Sequence, residues 1–218
     1  MGSNLQLNSQ IEEYINNHSL SLHPVQKKII EYNEKLGDIK KMQISISQCH
    51  FLHLIIKIIN PKNILEIGTF TGLSTLTMGL AMNEESFIIA LDKNDETSKV
   101  AMKFFDQANV GKKIELMVNN ANTSLDQIIK SNKYFDLIFI DADKENYINY
   151  FEKSLKIINR NGIIIVDNVL WYGDVANNEK QDRLTTKIRE FNLFIKKNNK
   201  IESLILPIGD GLSVCRKL

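Results

Sequence analysis

The residues able to do chemistry fall into three short groups. They are Glu66-Ile67-Gly68-Thr69-Phe70-Thr71-Gly72-Leu73-Ser74, Asp141-Ala142-Asp143-Lys144 and Asp167-Asn168. The first closes an apolar run with an acid and opens a turn holding two glycines, which allow a backbone to approach a ligand closely. Its G-x-x-x-G spacing differs from the G-x-G-x-x-G of a dinucleotide cradle, which disfavours a pyrophosphate site and hydride transfer. Asp92 ends the next apolar run, twenty residues after Gly72. A carboxylate there can accept hydrogen bonds from both ribose hydroxyls of an adenosine-type ligand.

Asp141 and Asp167 also end apolar runs, twenty-six residues apart, with one helix and one strand between them. A right-handed crossover sets two such strands side by side. Asp141, Asp167 and Asn168 then offer three oxygen donors, without histidine or thiol. That set suits Mg²⁺, Mn²⁺ or Ca²⁺ rather than zinc or copper. Capping of the segments that follow is the plainer reading of each acid alone. Four strand-end acids in an apolar pattern fit that reading poorly, because each carboxylate is costly without a partner.

The elements that must position these groups alternate. Short apolar runs at 64–67, 87–91, 114–118, 137–140 and 162–166 are separated by amphipathic stretches at 73–82, 96–107, 123–130, 146–158 and 182–197. Near-continuous apolar strands between helices imply a parallel sheet covered on both faces. Runs 201–206 and 212–216 are joined only by Pro207-Ile208-Gly209-Asp210-Gly211, too short for a crossover, so they form an antiparallel hairpin. The expectation is an α/β, doubly wound sheet with a reversed final strand. Ligands in such sheets sit beyond the carboxyl ends of the strands. Ahead of the sheet, helices are expected at 24–35 and at 48–59, the second capped by Ser47. Residues 1–60 read as a helical extension of one domain spanning 1–218.

Composition sets outer bounds. The chain has 218 residues, 43% of them apolar, and a formal charge of +1. That balance argues against electrostatic binding of nucleic acid or a membrane surface. Met1 to Gln10 carries no apolar core, so no signal peptide is expected. Phe51 to Ile59 reads as a buried helix, too short for a membrane span. Cys49 and Cys215 read as buried, reduced thiols of a cytoplasmic protein. His50 and His53 read as helix residues rather than metal ligands.

Four segments together resemble one family. Leu65 to Gly72, Phe139 to Tyr147, Val166 to Trp171 and Leu206 to Leu212 are similar to the cation-dependent catechol-type O-methyltransferases, including caffeoyl-CoA O-methyltransferases and bacterial relatives. The similarity runs over about residues 24–218. It implies a Rossmann-like sheet of the class I methyltransferase type, with seven strands and the last antiparallel. It implies S-adenosylmethionine as cofactor, with Glu66, Gly68, Thr69 and Ser74 near its methionine part and Asp92 on the ribose. Ala121 would lie at the adenine edge, Asp143 at the amino-acid end, and the backbone of Ile44 would touch the cofactor. Asp141, Asp167 and Asn168 match metal ligands, with Mg²⁺ favoured. Lys144 matches a general base, a role that requires its pKa to fall.

Trp171 and Tyr172 could pack against a phenolic ring. The implied reaction is in-line methyl transfer to a catechol hydroxyl, in a homodimer. Departures are Cys49-His50, where relatives have Gly-Gln, and Tyr172, where plant members have Asn. A different small-molecule acceptor, or a non-catalytic cofactor-binding dimer, are the competing readings.

Overall fold

A computed structural model describes residues 7–218. Seven strands form one sheet: β1 (Asn63–Ile67), β2 (Phe87–Asp92), β3 (Ile114–Val118), β4 (Phe135–Ile140), β5 (Ile158–Val166), β6 (Ile201–Leu206) and β7 (Leu212–Lys217). Their order is β3-β2-β1-β4-β5-β7-β6. Strands β1 to β5 are parallel, and β7 runs against both β5 and β6. The expected hairpin and reversed last strand are therefore present. Strand order reverses between β1 and β4, the switch point where α/β sheets open a crevice.

Among the described residues, eight α-helices accompany the sheet: α1 (Ser9–Asn17), α2 (Pro24–Glu34), α3 (Ile46–Ile59), α4 (Leu73–Ala81), α5 (Asp95–Gln107), α6 (Ala121–Lys130), α7 (Tyr147–Ile157) and α8 (Arg183–Lys197). Helices α2 to α5 pack on one face, burying Ile29, Leu52, Leu76 and Phe105 against Ile64, Ile88 and Phe139. Helices α6 to α8 cover the other, burying Leu125, Phe151 and Phe191 against Leu65, Ile138 and Ile164. Residues Leu137 to Ile140 are fully buried because both faces of β4 are covered. Each such side chain contributes on the order of 1.5–3 kcal/mol of burial. The outer strand β6 differs, with Leu204 and Ile205 exposed.

Three expectations change. The cap of α3 is Ser45, not Ser47: its hydroxyl accepts from the Gln48 backbone N–H while the Gln48 side chain accepts from the Ser45 N–H. This reciprocal pair starts the helix two residues earlier. Helix α3 is also only half buried, since Leu54 and Ile58 on its outer face are exposed. Helix α1 and a 3₁₀ segment at Gly37–Met42 were not foreseen. The stretch Gly37–Ile59 is long and apolar enough to cross a membrane. It is broken, however, between the 3₁₀ segment and α3, whose 14 residues fall short of the ~20 a span needs. The expectation for Met1 to Gln10 concerns a stretch whose first six residues lie outside the described ones.

Candidate active site

The site grows from the sheet ladder. Ile67 pairs with Ile140, and Ile140 with Val166. The ladder then continues one step beyond the strands: Asp141 N–H donates to the Ile67 carbonyl at 2.8 Å, and Asp167 N–H to the Ile140 carbonyl at 2.9 Å. Gly68, Asp141 and Asp167 therefore stand in a row on one edge. A Cβ on Gly68 would lie 2.0 Å from the Asp141 carbonyl oxygen, and its φ is +97°. The neighbouring strand tip by itself requires glycine there, apart from any approach to a ligand. Gly72 likewise accommodates the Phe105 ring.

In the β1–β2 half, Glu66 is fully buried. Its Oε2 accepts from the Thr75 hydroxyl and from Thr69 Oγ1 at 3.3 Å. Its Oε1 has no partner. Burial pushes the carboxyl up to about 7, against the hydroxyls of Ser74, Thr75 and Thr69, and the Asp141 charge adds to the rise. Asp92 shapes the loop: Oδ2 accepts from the Thr69 and Phe70 N–H groups at 3.0 and 2.7 Å, and Oδ1 from Asn94 N–H at 2.8 Å. Ser74 lies buried in the first turn of α4. Ile44 is buried just ahead of α3. Ala121 opens α6, whose free N–H groups are capped by the Asn120 side chain. Asp143 accepts from the Tyr150 hydroxyl at 2.7 Å and from the Asn146 carboxamide.

The β4–β5–β7 half gathers Asp141, Lys144, Asp167, Asn168 and, beyond the expected set, Asp210. Lys144 Nζ donates to Asp141 Oδ1 at 2.9 Å and sits 5.1 Å over the Tyr147 ring. Tyr147 in turn donates its hydroxyl to the Asp167 carbonyl at 2.9 Å. Burial and the Asp141 charge raise the Asp167 carboxyl well above its usual range. Opposing that rise, Asp167 Oδ1 accepts from Asn168 N–H at 2.6 Å and from the Gln48 carboxamide at 2.6 Å. Asp210 is raised by its partial burial, with the Tyr172 N–H and the Asn168 side chain working the other way. Its Oδ2 is buried without a partner.

Burial would pull the Lys144 ammonium down, but Tyr147 and Asp141 outweigh it and hold the group above the ordinary lysine range. A base role for Lys144 needs the reverse shift, which a cation held beside Asp141 would favour. In this arrangement the ammonium neutralises the acidic pair.

Asn168 adopts φ +57°, and Trp171 and Tyr172 are also left-handed. Trp171 packs on the core while Tyr172 is 75% exposed. The two rings lie side by side, their centroids 5.6 Å apart.

As a cation site, the chemistry of the donors fits. Among the described residues, no hydrogen bond falls on Oδ2 of Asp141 or Asp167, and Asn168 points a carboxamide at the same cluster. Three donors are reached only with that amide: among the described residues, no three His, Cys, Asp or Glu side chains form a metal group. Sequence reasoning passed over Gln48, Tyr147 and Asp210. The S-x-x-Q capping spacing of Ser45 and Gln48 was a readable signal for the first; Tyr147 and Asp210 lie in two of the segments that carry the family resemblance, without a role having been assigned to them.

Known proteins match the chain in sequence and in fold. A model of a family described as O-methyltransferase matches residues 16–218. The chain is 37% identical over 217 residues to probable caffeoyl-CoA O-methyltransferase 2 of Dictyostelium discoideum, covering 98% of this chain and 94% of that one. It is 37% identical over 188 residues to caffeoyl-CoA O-methyltransferase of Petroselinum crispum, covering 81% and 77%. Among solved structures, an O-methyltransferase from Bacillus cereus in complex with SAH superposes with a TM-score of 0.87 at 28% identity, over 96% of this chain and 97% of that one. With this sheet, this edge and these matches, the chain belongs to the O-methyltransferase family.

Proposed function

We propose that the protein transfers a methyl group from S-adenosylmethionine to a hydroxyl of a catechol-type phenol. The observation that carries this reading is the division of one sheet edge into two adjoining acidic halves. The β1–β2 half supplies Glu66, Thr69, Ser74 and Asp92, with Ile44, Gly68, Ala121 and Asp143 as further cofactor contacts by similarity. S-adenosylmethionine supplies a sulfonium-activated methyl group. The Bacillus cereus relative, solved with SAH, supports this cofactor. The Dictyostelium and Petroselinum relatives support a phenolic acceptor of the caffeoyl type.

In the β4–β5–β7 half, Asp141, Asp167 and Asn168 would hold a divalent cation, Mg²⁺ in the first instance. Such an ion would bind vicinal hydroxyls and lower their pKa. The protein's own part is to hold and exclude. Gln48 and Asn168 N–H fix Asp167 Oδ1, so its other oxygen faces the edge. Lys144, paired with Asp141, would take the phenol proton or stabilise the developing phenolate charge. Tyr172 offers a flat face to the acceptor ring. Fixing an oxygen near a methyl carbon in this manner contributes up to roughly 7–11 kcal/mol in favourable cases.

A homodimer is supported by apolar side chains left exposed on α3 and β6, namely Leu54, Ile58, Leu204 and Ile205. The free, buried thiols of Cys49 and Cys215 fit a cytoplasmic setting.

The test is a methyl-transfer screen over catechols, caffeoyl derivatives and flavonoids, read by mass spectrometry, with and without EDTA. Transfer to vicinal diols that stops in chelator and returns with Mg²⁺ is expected. Full activity in EDTA would remove the cation from the account, and methylation only of acceptors lacking vicinal hydroxyls would remove the catechol.

A further inference from the structure

The segment after Asn168 runs over the acceptor side of the edge and is held from two directions. On one side, Val169 and Leu170 N–H groups donate to the carbonyls of Gly211 and Asp210 at 3.1 and 3.0 Å. On the other, helix α8 reaches across. Asn192 donates its carboxamide to the Val169 carbonyl at 2.8 Å. Arg189, one turn earlier, gathers four main-chain carbonyls. Its Nε donates to Val175 at 3.0 Å, Nη1 to Lys180 at 2.6 Å, and Nη2 to Asp174 at 2.9 Å and to Asn177.

Four of the five guanidinium N–H donors are thus spent on one loop. The loop gives little in return to the core. Residues 176–182 are exposed, and only Trp171 and Val175 pack against buried residues. A loop with so few apolar contacts drifts unless something else fixes it. What Arg189 fixes is therefore the path of the chain beside Asp167 and Asn168, including exposed Tyr172. A lysine cannot substitute, because a point ammonium does not span four divergent carbonyls.

We propose that Arg189 is a positioning residue that sets the acceptor wall 171–182, and through it acceptor affinity, without touching acceptor or cofactor. The inference rests on the acceptor reading given above. Its test uses the full-length Arg189→Lys and Arg189→Met variants beside wild type. Hydrogen exchange is followed over 171–182, caffeate is the acceptor probe, and S-adenosylhomocysteine is titrated calorimetrically. Expected is an exchange of that segment faster by about tenfold or more, larger in the Met variant, with β4 and β5 amides unchanged. The caffeate KM should rise about five- to tenfold with kcat within about twofold, and cofactor Kd should stay within about twofold.

Unchanged exchange in both variants overturns the proposal. So does a loosened segment with an unchanged caffeate KM. If wild type methylates no phenol, the acceptor reading falls instead, and the exchange comparison alone decides whether Arg189 holds the wall.

Discussion

At the end of β1, Glu66 is sealed from water among threonine and serine hydroxyls, with one oxygen unpaired. Along the same edge, Asp141 and Asp167 are met by an ammonium, a carboxamide and the Asn168 backbone N–H. Burial has raised the first acid to about 7, so its charge changes across the neutral range. The second pair has been given donors that favour charge, yet remains partly uncompensated because two carboxylates share the place. A half that meets a sulfonium-bearing cofactor and a half that meets a dication would differ in this way: one waits for a positive group, the other is held ready by Lys144.

The boundary between the halves is the most fragile point. Gly68→Ala places a Cβ on the Asp141 carbonyl at a left-handed φ, so the tips of β1 and β4 must part. The expected loss is about 3–5 kcal/mol of stability, read from denaturant melts, with both cofactor binding and transfer impaired. A variant as stable as wild type would mean that the two strand tips are not rigidly coupled.

Glu66→Gln sharpens the comparison through pH. A carboxyl whose folded pKa is raised contributes stability present below its unfolded value near 4.5 and lost as pH rises through about 7. The unliganded wild type should therefore lose roughly 3 kcal/mol between those limits through this group. The Gln variant should show a flatter melting temperature between pH 5 and 8 and exceed wild type at pH 8. Parallel pH profiles would show that Glu66 is already charged.

Gln48→Leu probes the other half. It removes the carboxamide from Asp167 Oδ1 and leaves a buried charge short of a donor, at a cost of about 1–3 kcal/mol. The denaturation midpoint should fall with an unchanged m-value, and transfer should fall while S-adenosylhomocysteine affinity holds. Weakened cofactor affinity instead would place Gln48 in the first half.

Much of this was legible beforehand. Apolar runs ending in Glu66, Asp92, Asp141 and Asp167 revealed the parallel sheet and its loaded edge, because strand burial and strand ends are written locally. The short Pro207–Gly211 link disclosed the hairpin for the same reason. What escaped notice was long-range. Gln48 meets Asp167 across 119 positions. Arg189 looks like any polar residue of an amphipathic helix until the loop folds back over it. The pairing of Lys144 with its i−3 carboxylate and its place over the Tyr147 ring likewise needed coordinates to be seen.

The division of labour along the edge is tested most directly with Asp141→Asn. Methyl transfer to a catechol and calorimetric binding of S-adenosylhomocysteine are measured on the same preparation. Transfer lowered by about 100-fold or more with cofactor Kd within about threefold is the predicted result. Loss of cofactor binding in step with transfer would contradict it, because Asp141 would then belong to the cofactor's half.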